Sequence, residues 1–130
     1  MISFDIRLDS LANEAVSGSG GNSDSADLLN TAGNLFLNVS ARASGTNTMS
    51  LVVQHSEDNA TWSTVPSGAV YDRATSTYVG FSDVTTSATD ETRMLNRQQL
   101  KRYVRVAYTG STLTHNVAVT LASQPQATES

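Results

Sequence analysis

Apolar side chains recur at every second position in several short runs of this chain. The alternation is present in residues 2–8, 35–42 and 49–53, and again in residues 103–108 and 113–121. A two-residue period places successive side chains on opposite faces of a β-strand, whereas an amphipathic helix repeats its apolar positions every 3.6 residues. Turn-forming residues separate the runs. The pattern predicts an all-β fold: an antiparallel β-sandwich of about seven or eight short strands, with a jelly-roll or an immunoglobulin-like topology.

The chain length and the distribution of small polar residues indicate one folded unit with flexible additions. A chain of 130 residues corresponds to one domain of ordinary size. The segment SGSGGNSDSAD contains no large apolar side chain that could offset the entropy of ordering it. We therefore predict an N-terminal strand or arm in residues 1–16, a flexible loop in 17–27, a β-sandwich in 28–122 and a mobile tail in 123–130.

Turn chemistry supports more specific predictions within the sandwich. The sequence SGTN predicts a hairpin centred on Gly45, and TGST at 109–112 predicts a second hairpin near the C-terminus. Asn59 is the best candidate for a positive φ, because asparagine tolerates that conformation better than other non-glycine residues. Residues 85–92 are predicted to form a polar loop, and residues 94–103 at most one or two turns of helix.

The composition limits the classes of partner. The net charge is −4, so the chain lacks the clustered basic residues that bind nucleic-acid phosphates. No apolar run approaches the roughly 20 residues that cross a bilayer, and the first ten residues do not have the features of a secretion signal. Because the sequence has no cysteine, disulfides and thiolate metal sites are excluded. We predict a soluble protein made in the cytoplasm that binds neither nucleic acid nor membrane.

Candidates for catalysis and metal binding are few. No nucleophile elbow, glycine-rich phosphate loop or His-x-x-x-His spacing accompanies His55 and His115. Asn22, Asp24 and Asp27 offer oxygen ligands close together, yet their spacing does not match that of a calcium loop. The sequence therefore predicts no enzymatic activity, no catalytic residue, no metal and no cofactor. A small hydrolase remains a distant alternative.

The single tryptophan follows a tight turn in the segment HSEDNATW. This segment is similar to the Asp-box turn of sialidase propellers but lacks the glycine of that motif, and no propeller repeats accompany it. The bulk of Trp62 predicts a structural anchor in the core or at the edge of the sandwich, so that Trp62→Ala would lower the stability strongly. The alternative is that the indole ring stacks on a sugar.

Three segments in order carry a wider resemblance: SGTNTMSLVVQ, then HSEDNATW, then RYVRVAYTG with a closing valine strand. Over about residues 24–122 this order resembles small β-sandwich proteins of tailed-bacteriophage heads, which have a glycine where this chain has Asn59. The resemblance implies a structural virion protein, namely a decoration or cement protein on the outer surface of the capsid. It also implies that the partner is the major capsid protein and that catalytic residues are absent.

Two groups of residues are candidates for contacts with the capsid or with sister subunits. The alternating N-terminal segment presents one apolar face, which pairs either with a partner or with the chain's own sandwich. Seven of the eight basic residues are arginines, and arginine is enriched in protein interfaces. We predict a closed homo-oligomer such as a trimer; the alternative function is carbohydrate binding. The interface candidates are Ile2, Phe4, Ile6, Leu8, Arg73, Arg93, Arg97, Arg102 and Arg105.

Overall fold

A computed structural model describes residues 8–29, 33–43, 45–85 and 88–123 of the chain. Strands account for 62% of the described residues, and no α-helix is present in these ranges. Two short 3-10 turns span Ser67–Ala69 and Arg97–Gln99. The strands are β1 (Leu8–Asn22), β2 (Ala26–Asp27), β3 (Leu35–Ala43), β4 (Ser50–Ser56), β5 (Ser63–Thr64), β6 (Val70–Asp72), β7 (Thr77–Tyr78), β8 (Thr89–Leu95) and β9 (Tyr103–Ala122).

The strands form one antiparallel sheet that curls into a half-barrel. Its main path has the order β5-β4-β9-β3-β8-β6-β7. Strands β4 and β3 lie end to end along one edge of β9, and β2 and β1 lie along its other edge. The predicted all-β, antiparallel class is confirmed. The form that the structure shows is a half-barrel, and the two-layer sandwich stays a prediction.

The predicted hairpin at 109–112 is wrong, because the chain continues through these residues as one strand of 20 residues, β9. The two halves of β9 do not pair with each other: the first half pairs with β4, and the second half pairs with β3. At the junction Thr112 has a φ of 51°. A Cβ on Gly110 would lie 2.7 Å from the carbonyl oxygen of Thr48. The small residues here allow a bend and a close approach rather than a chain reversal.

The predicted hairpin at Gly45 is also wrong. Strand β3 pairs with β8 and β9, and β4 pairs with β5 and β9, so the two strands do not pair with each other. Because both follow the same edge of β9, the connection between them passes alongside the bend in that strand. Alternation identifies a strand but carries no information about its partner.

Residues 85–92 are only partly a loop, since β8 begins at Thr89. The inward positions of this strand include Glu91 and Arg93, which form an ion pair at 3.5 Å. Charged residues at inward positions removed the apolar alternation that identified the other strands. The predicted helix in 94–103 is limited to the 3-10 turn Arg97–Gln99.

Strand β1 does not stop at residue 16 but extends through most of the segment predicted as a loop. Residues 17–22 continue along β9, with register shifts between Ser10 and Ala12 and between Gly18 and Gly20. Gly20 has a φ of 110°, and a Cβ there would lie 2.0 Å from the carbonyl oxygen of Tyr108. Glycine therefore allows the two backbones to approach closely. Residues 1–7 and 124–130 lie outside the described residues, so the predicted tail is described only at Ser123.

The core lies on the concave side of the half-barrel. Its centre is formed by inward residues of β3 and β9, including the paired residues Leu37 and Leu121, which are at most 1% exposed. Leu11 and Val16 of β1 are also buried in this core. Residues 8–16 thus pair within their own sheet, which is the alternative that the sequence left open for them.

Candidate functional site

The outer surface of β4, β5 and the first half of β9 brings together several predicted site residues. The strand register places Gln54 opposite both Thr64 and Arg105, so these three side chains share one face of the sheet. Trp62 lies two residues before Thr64 and therefore belongs to the same face. Tyr103 lies one step before Arg105 on β9 and pairs with Asp27 of β2. We call this surface the arginine–aromatic face: Asp27, Gln54, Trp62, Arg102, Tyr103 and Arg105.

Two arginines of the arginine–aromatic face stack on its aromatic rings. The Arg105 guanidinium carbon lies 4.2 Å from the centroid of the Trp62 ring, and the Arg102 guanidinium carbon lies 5.0 Å from that of Tyr103. Arg105 also donates from Nε to Gln54 Oε1 at 2.9 Å. Such stacking holds long side chains in defined orientations. In this structure both guanidinium groups therefore lie against aromatic rings of the same face.

Neighbouring groups change the acidity of the two guanidinium groups. Arg102 donates from Nε and Nη2 to the two carboxylate oxygens of Asp27, both at 2.9 Å, and this bidentate pair raises the pKa of Arg102. Partial burial lowers the pKa of Arg105. No carboxylate of the described residues contacts the Arg105 guanidinium, so its charge is the one that a partner's carboxylate could neutralise.

The turn that leads to Trp62 is organised by Ser56 and Asp58. The Asp58 carboxylate accepts from the backbone N–H groups of Thr61 and Ala60, both at 2.9 Å, and from the Ser56 hydroxyl at 2.9 Å. These hydrogen bonds, that of Thr61 first, lower the pKa of Asp58 from 3.8 to about 2. Asn59 has a φ of 61°, which confirms the predicted positive φ. The turn returns the chain so that β5 pairs with β4 and Trp62 meets Arg105.

Trp62 is half-buried and lies outside the hydrophobic core cluster. Its position is on the outside of the sheet next to β5, at one end of the strand order. The Arg105 guanidinium covers part of the ring, and part of the side chain is accessible to solvent.

The other arginine candidates lie elsewhere. Arg93 is 6% exposed and forms ion pairs with Asp72 at 3.8 Å and Glu91 at 3.5 Å. Arg97 donates to the carbonyl oxygens of Leu28 and Leu100, both at 3.1 Å. These two guanidinium groups bind their own chain. Arg73 is exposed and lies over the Phe36 ring at 5.4 Å. Ile2, Phe4 and Ile6 lie outside the described residues, and Leu8 begins β1 opposite Ala122.

The two histidines occupy separate, mostly buried positions. His55 accepts at Nδ1 from the backbone N–H of Lys101 at 3.2 Å, and its burial lowers its pKa. His115 is 1% exposed, with Nε2 at 3.0 Å from the carbonyl oxygen of Val84. Within the described ranges, no three His, Cys, Asp or Glu residues lie close enough together to hold a metal ion. In the same ranges, no helix is long and apolar enough to cross a membrane.

The sequence did not indicate that Gln54, Tyr103 and Asp27 belong with the two arginines. In the sequence, Tyr103 was only the start of an alternating run, and Asp27 was considered only as an oxygen ligand of a calcium loop whose spacing did not fit. Their common surface arises because β4 and β2 pair with opposite edges of β9. The correct strand pairing was the missing information.

Comparisons with known proteins place the chain by its fold. No family model and no curated protein matches the sequence. The structure is similar to that of the PBSX exported protein XepA, with a TM-score of 0.57 and 16% identity, over 95% of this chain and 39% of XepA. It is also similar to the SPBc2 prophage-derived protein YomS, with a TM-score of 0.55 and 14% identity, over 94% of this chain and 96% of YomS.

At these identities the likeness shows a common fold. Both structural neighbours are phage-derived proteins. The chain therefore has an antiparallel β fold that phage-derived proteins also use, and it spans well under half of XepA.

Proposed function

We propose that this chain is a structural protein of a tailed phage that decorates the outer surface of the capsid, made in the cytoplasm of the bacterial host. It acts as a cement protein that bridges neighbouring subunits of the major capsid protein, as a closed homo-oligomer such as a trimer. It performs no catalysis and needs no cofactor. The proposal also includes the two-layer β-sandwich form, which the phage head proteins that the sequence resembles have.

The arginine–aromatic face is the observation that carries this proposal. Tryptophan, tyrosine and arginine are the residue types that contribute most binding energy at protein interfaces. On this face they are neighbours and are already held in place by stacking and by the Arg102–Asp27 pair. The phage origin of both structural neighbours supports the phage setting.

Co-sedimentation with empty capsids, assembled from the major capsid protein of the same phage genome, tests this proposal. The double variant Arg102→Ala/Arg105→Ala should bind at least tenfold more weakly than the wild-type protein. Arg42→Ala is the matched control, because Arg42 is an exposed arginine of β3 outside the arginine–aromatic face. A wild-type protein that stays in the supernatant, or a double variant that binds like the control, would contradict the proposal.

A second candidate function, carbohydrate binding, is favoured by the partly exposed indole of Trp62. An exposed indole face stacks well on the apolar face of a sugar ring. A glycan screen separates the two functions. Micromolar binding that Trp62→Ala removes, together with no binding to capsids, would support the carbohydrate function.

A further inference from the structure

Three arginines of the described ranges are buried or half-buried: Arg93, Arg97 and Arg105. The guanidinium groups of the first two bind acceptors of their own chain. Arg93 forms ion pairs with two carboxylates, and both Nη atoms of Arg97 donate to carbonyl oxygens. Arg105 differs, because its hydrogen bond within the described part of the chain runs from Nε to Gln54 Oε1 at 2.9 Å. Its two Nη groups have no acceptor there.

A half-buried guanidinium that lacks acceptors is unfavourable, because burial removes the water that would otherwise accept from its N–H groups. Burial lowers the pKa of Arg105, and no carboxylate of the described residues opposes this change. The carboxylate of the arginine–aromatic face, Asp27, is bound to Arg102. The face therefore holds one cation that is paired and one that is not.

The contacts of Arg105 decide which of its N–H groups remain for a ligand. Arg102 binds Asp27 through Nε and Nη2. In Arg105 the Nε group is taken by Gln54, and the Trp62 ring lies against the guanidinium at 4.2 Å. The N–H groups on Nη1 and Nη2 remain. They form the end of a planar fork, which matches the two oxygens of one carboxylate.

The groups around this fork donate hydrogen bonds and favour a singly charged, planar anion. The amide nitrogen of Gln54 is a donor, and no described residue accepts from it. A phosphate is typically bound by several basic residues or by the N-terminus of a helix. The described ranges contain no α-helix, and the chain has a net charge of −4, which disfavours a multiply charged anion. A carboxylate fits one guanidinium fork.

We propose that Arg105, together with Gln54 and Trp62, forms a carboxylate-binding site that takes an aspartate or glutamate side chain of the partner protein. The identity of that partner as the major capsid protein rests on the proposed function. The carboxylate accepts two charge-assisted hydrogen bonds from the Nη groups, and the indole ring shields one side of the guanidinium from water.

The aromatic rings favour a protein carboxylate over the carboxylate of an acidic sugar. A sugar ring binds an aromatic side chain by stacking on an open ring face. On this surface a guanidinium group already covers one face of Trp62 and one face of Tyr103. A carboxylate on a flexible side chain needs no open ring face, because it approaches the edge of the guanidinium.

NMR of the isolated protein tests the site without a capsid. Trp62 is the single tryptophan of the chain, so its indole N–H gives one signal that reports on the surroundings of Arg105. Acetate, exchanged for chloride at constant ionic strength, is the probe. The Trp62 signal should shift to a plateau in the wild-type protein and in Arg42→Gln, the matched control at an exposed arginine outside the face. In Arg105→Gln it should not shift.

A second variant separates a carboxylate site from general attraction between charges. Arg105→Lys keeps the positive charge but lacks the planar fork, so it should bind acetate more weakly than the wild type. The amide spectra of both Arg105 variants show whether the fold is intact. Three results would overturn the proposal: no saturable shift in the wild type, the same shift in Arg105→Gln, or equal affinity in Arg105→Lys. Glucuronate that binds about tenfold more tightly than acetate would overturn the choice of a protein partner.

Co-sedimentation with empty capsids extends the comparison to the partner. Arg105→Gln should weaken binding about tenfold. Arg102→Gln should weaken it less, because Asp27 already neutralises Arg102. Equal losses for these two variants would overturn the assignment to Arg105. The two hypotheses fail separately: a wild-type protein that binds acetate but not capsids contradicts the proposed function, and one that binds capsids but not acetate contradicts only this inference.

Discussion

The middle of the sheet and its two ends have opposite characters. In the middle, β3 and the second half of β9 are paired along both edges, and Leu37, Val39, Val119 and Leu121 are at most 1% exposed. At the ends, β5 and β7 contain two residues each, and all four are exposed. Paired, buried strands hold most of a domain's stability, whereas exposed edges are available for binding. We therefore expect changes in the middle of the sheet to affect mainly stability, and changes at its ends to affect stability much less.

The largest expected effect is at the middle. Leu37→Ala removes a side chain that packs beside Leu121, and both residues are almost completely buried. Leucine-to-alanine changes at such sites cost about 2–5 kcal/mol. Urea unfolding should show this loss, while Ser40→Ala, at an exposed position of the same strand, should stay within about 0.5 kcal/mol of the wild type. Equal losses for both variants would contradict the central position of this core.

The end of the sheet should respond less, even to removal of the largest side chain. The sequence predicts a strong loss of stability for Trp62→Ala, but the structure places this ring half-buried outside the core cluster. Its stacking on Arg105 is worth about 1 kcal/mol at a site that is only partly shielded from water. We expect a loss of about 1 kcal/mol together with weakened capsid binding. A loss as large as that of Leu37→Ala would remove the contrast between middle and end.

One buried residue is expected to be an exception, because its substitution should not lower the free energy of unfolding. Tyr108 is 1% exposed, and among the described residues its hydroxyl makes no hydrogen bond of good geometry, although the Glu14 carboxylate and the Ser23 hydroxyl lie near it. Burial also raises the pKa of this hydroxyl above its usual range. Because Tyr108→Phe removes an unpaired polar atom and keeps the ring, we expect unchanged or slightly higher stability, by up to about 1 kcal/mol. A clear fall in the melting temperature would indicate that the hydroxyl is hydrogen-bonded in solution.

The smallest effect is confined to acid. The folded protein lowers the pKa of Asp58 from 3.8 to about 2, so the unfolded chain takes up the proton first as the pH falls. The contribution of Asp58 is present above pH 3.8 and is lost as the pH falls to about 2. Asp58→Asn should therefore flatten the acid-induced loss of thermal stability in this window. Parallel melting curves for the variant and the wild type would show that the turn contributes nothing.

The sequence predicted the existence of strands better than their partners. Alternation identified β3, β4 and both halves of β9, and the chemistry of asparagine identified the left-handed residue at Asn59. Alternation also predicted two hairpins that do not form, because the period of two is the same for every strand and does not encode which edge a strand meets. The turn-like residues at 109–112 bend β9 instead of reversing it.

The candidate site was predicted only in part, for a related reason. Arginine content indicated an interface, and two of the five named arginines, Arg102 and Arg105, lie on the arginine–aromatic face. Arg93 differs because it forms ion pairs with Asp72 and Glu91 inside the fold. The sequence alone does not show that the strand of Asp72, β6, pairs with that of Arg93, β8. Residue type therefore named the candidates, whereas their grouping on one surface depended on long-range strand pairing.

The single long strand β9 also determines when the fold can form during synthesis. Strands β1, β2, β3 and β4 all pair directly with it, and it is translated after each of them. Until residues 103–122 have left the ribosome, these four strands lack the edge on which they assemble. Contacts between residues so distant in sequence are slow to form. Strands that have not yet paired with β9 are prone to aggregate. Most of the sheet therefore cannot assemble before β9 has been synthesised, and chaperone binding to nascent chains truncated before Tyr103 should be the cellular signature of this order.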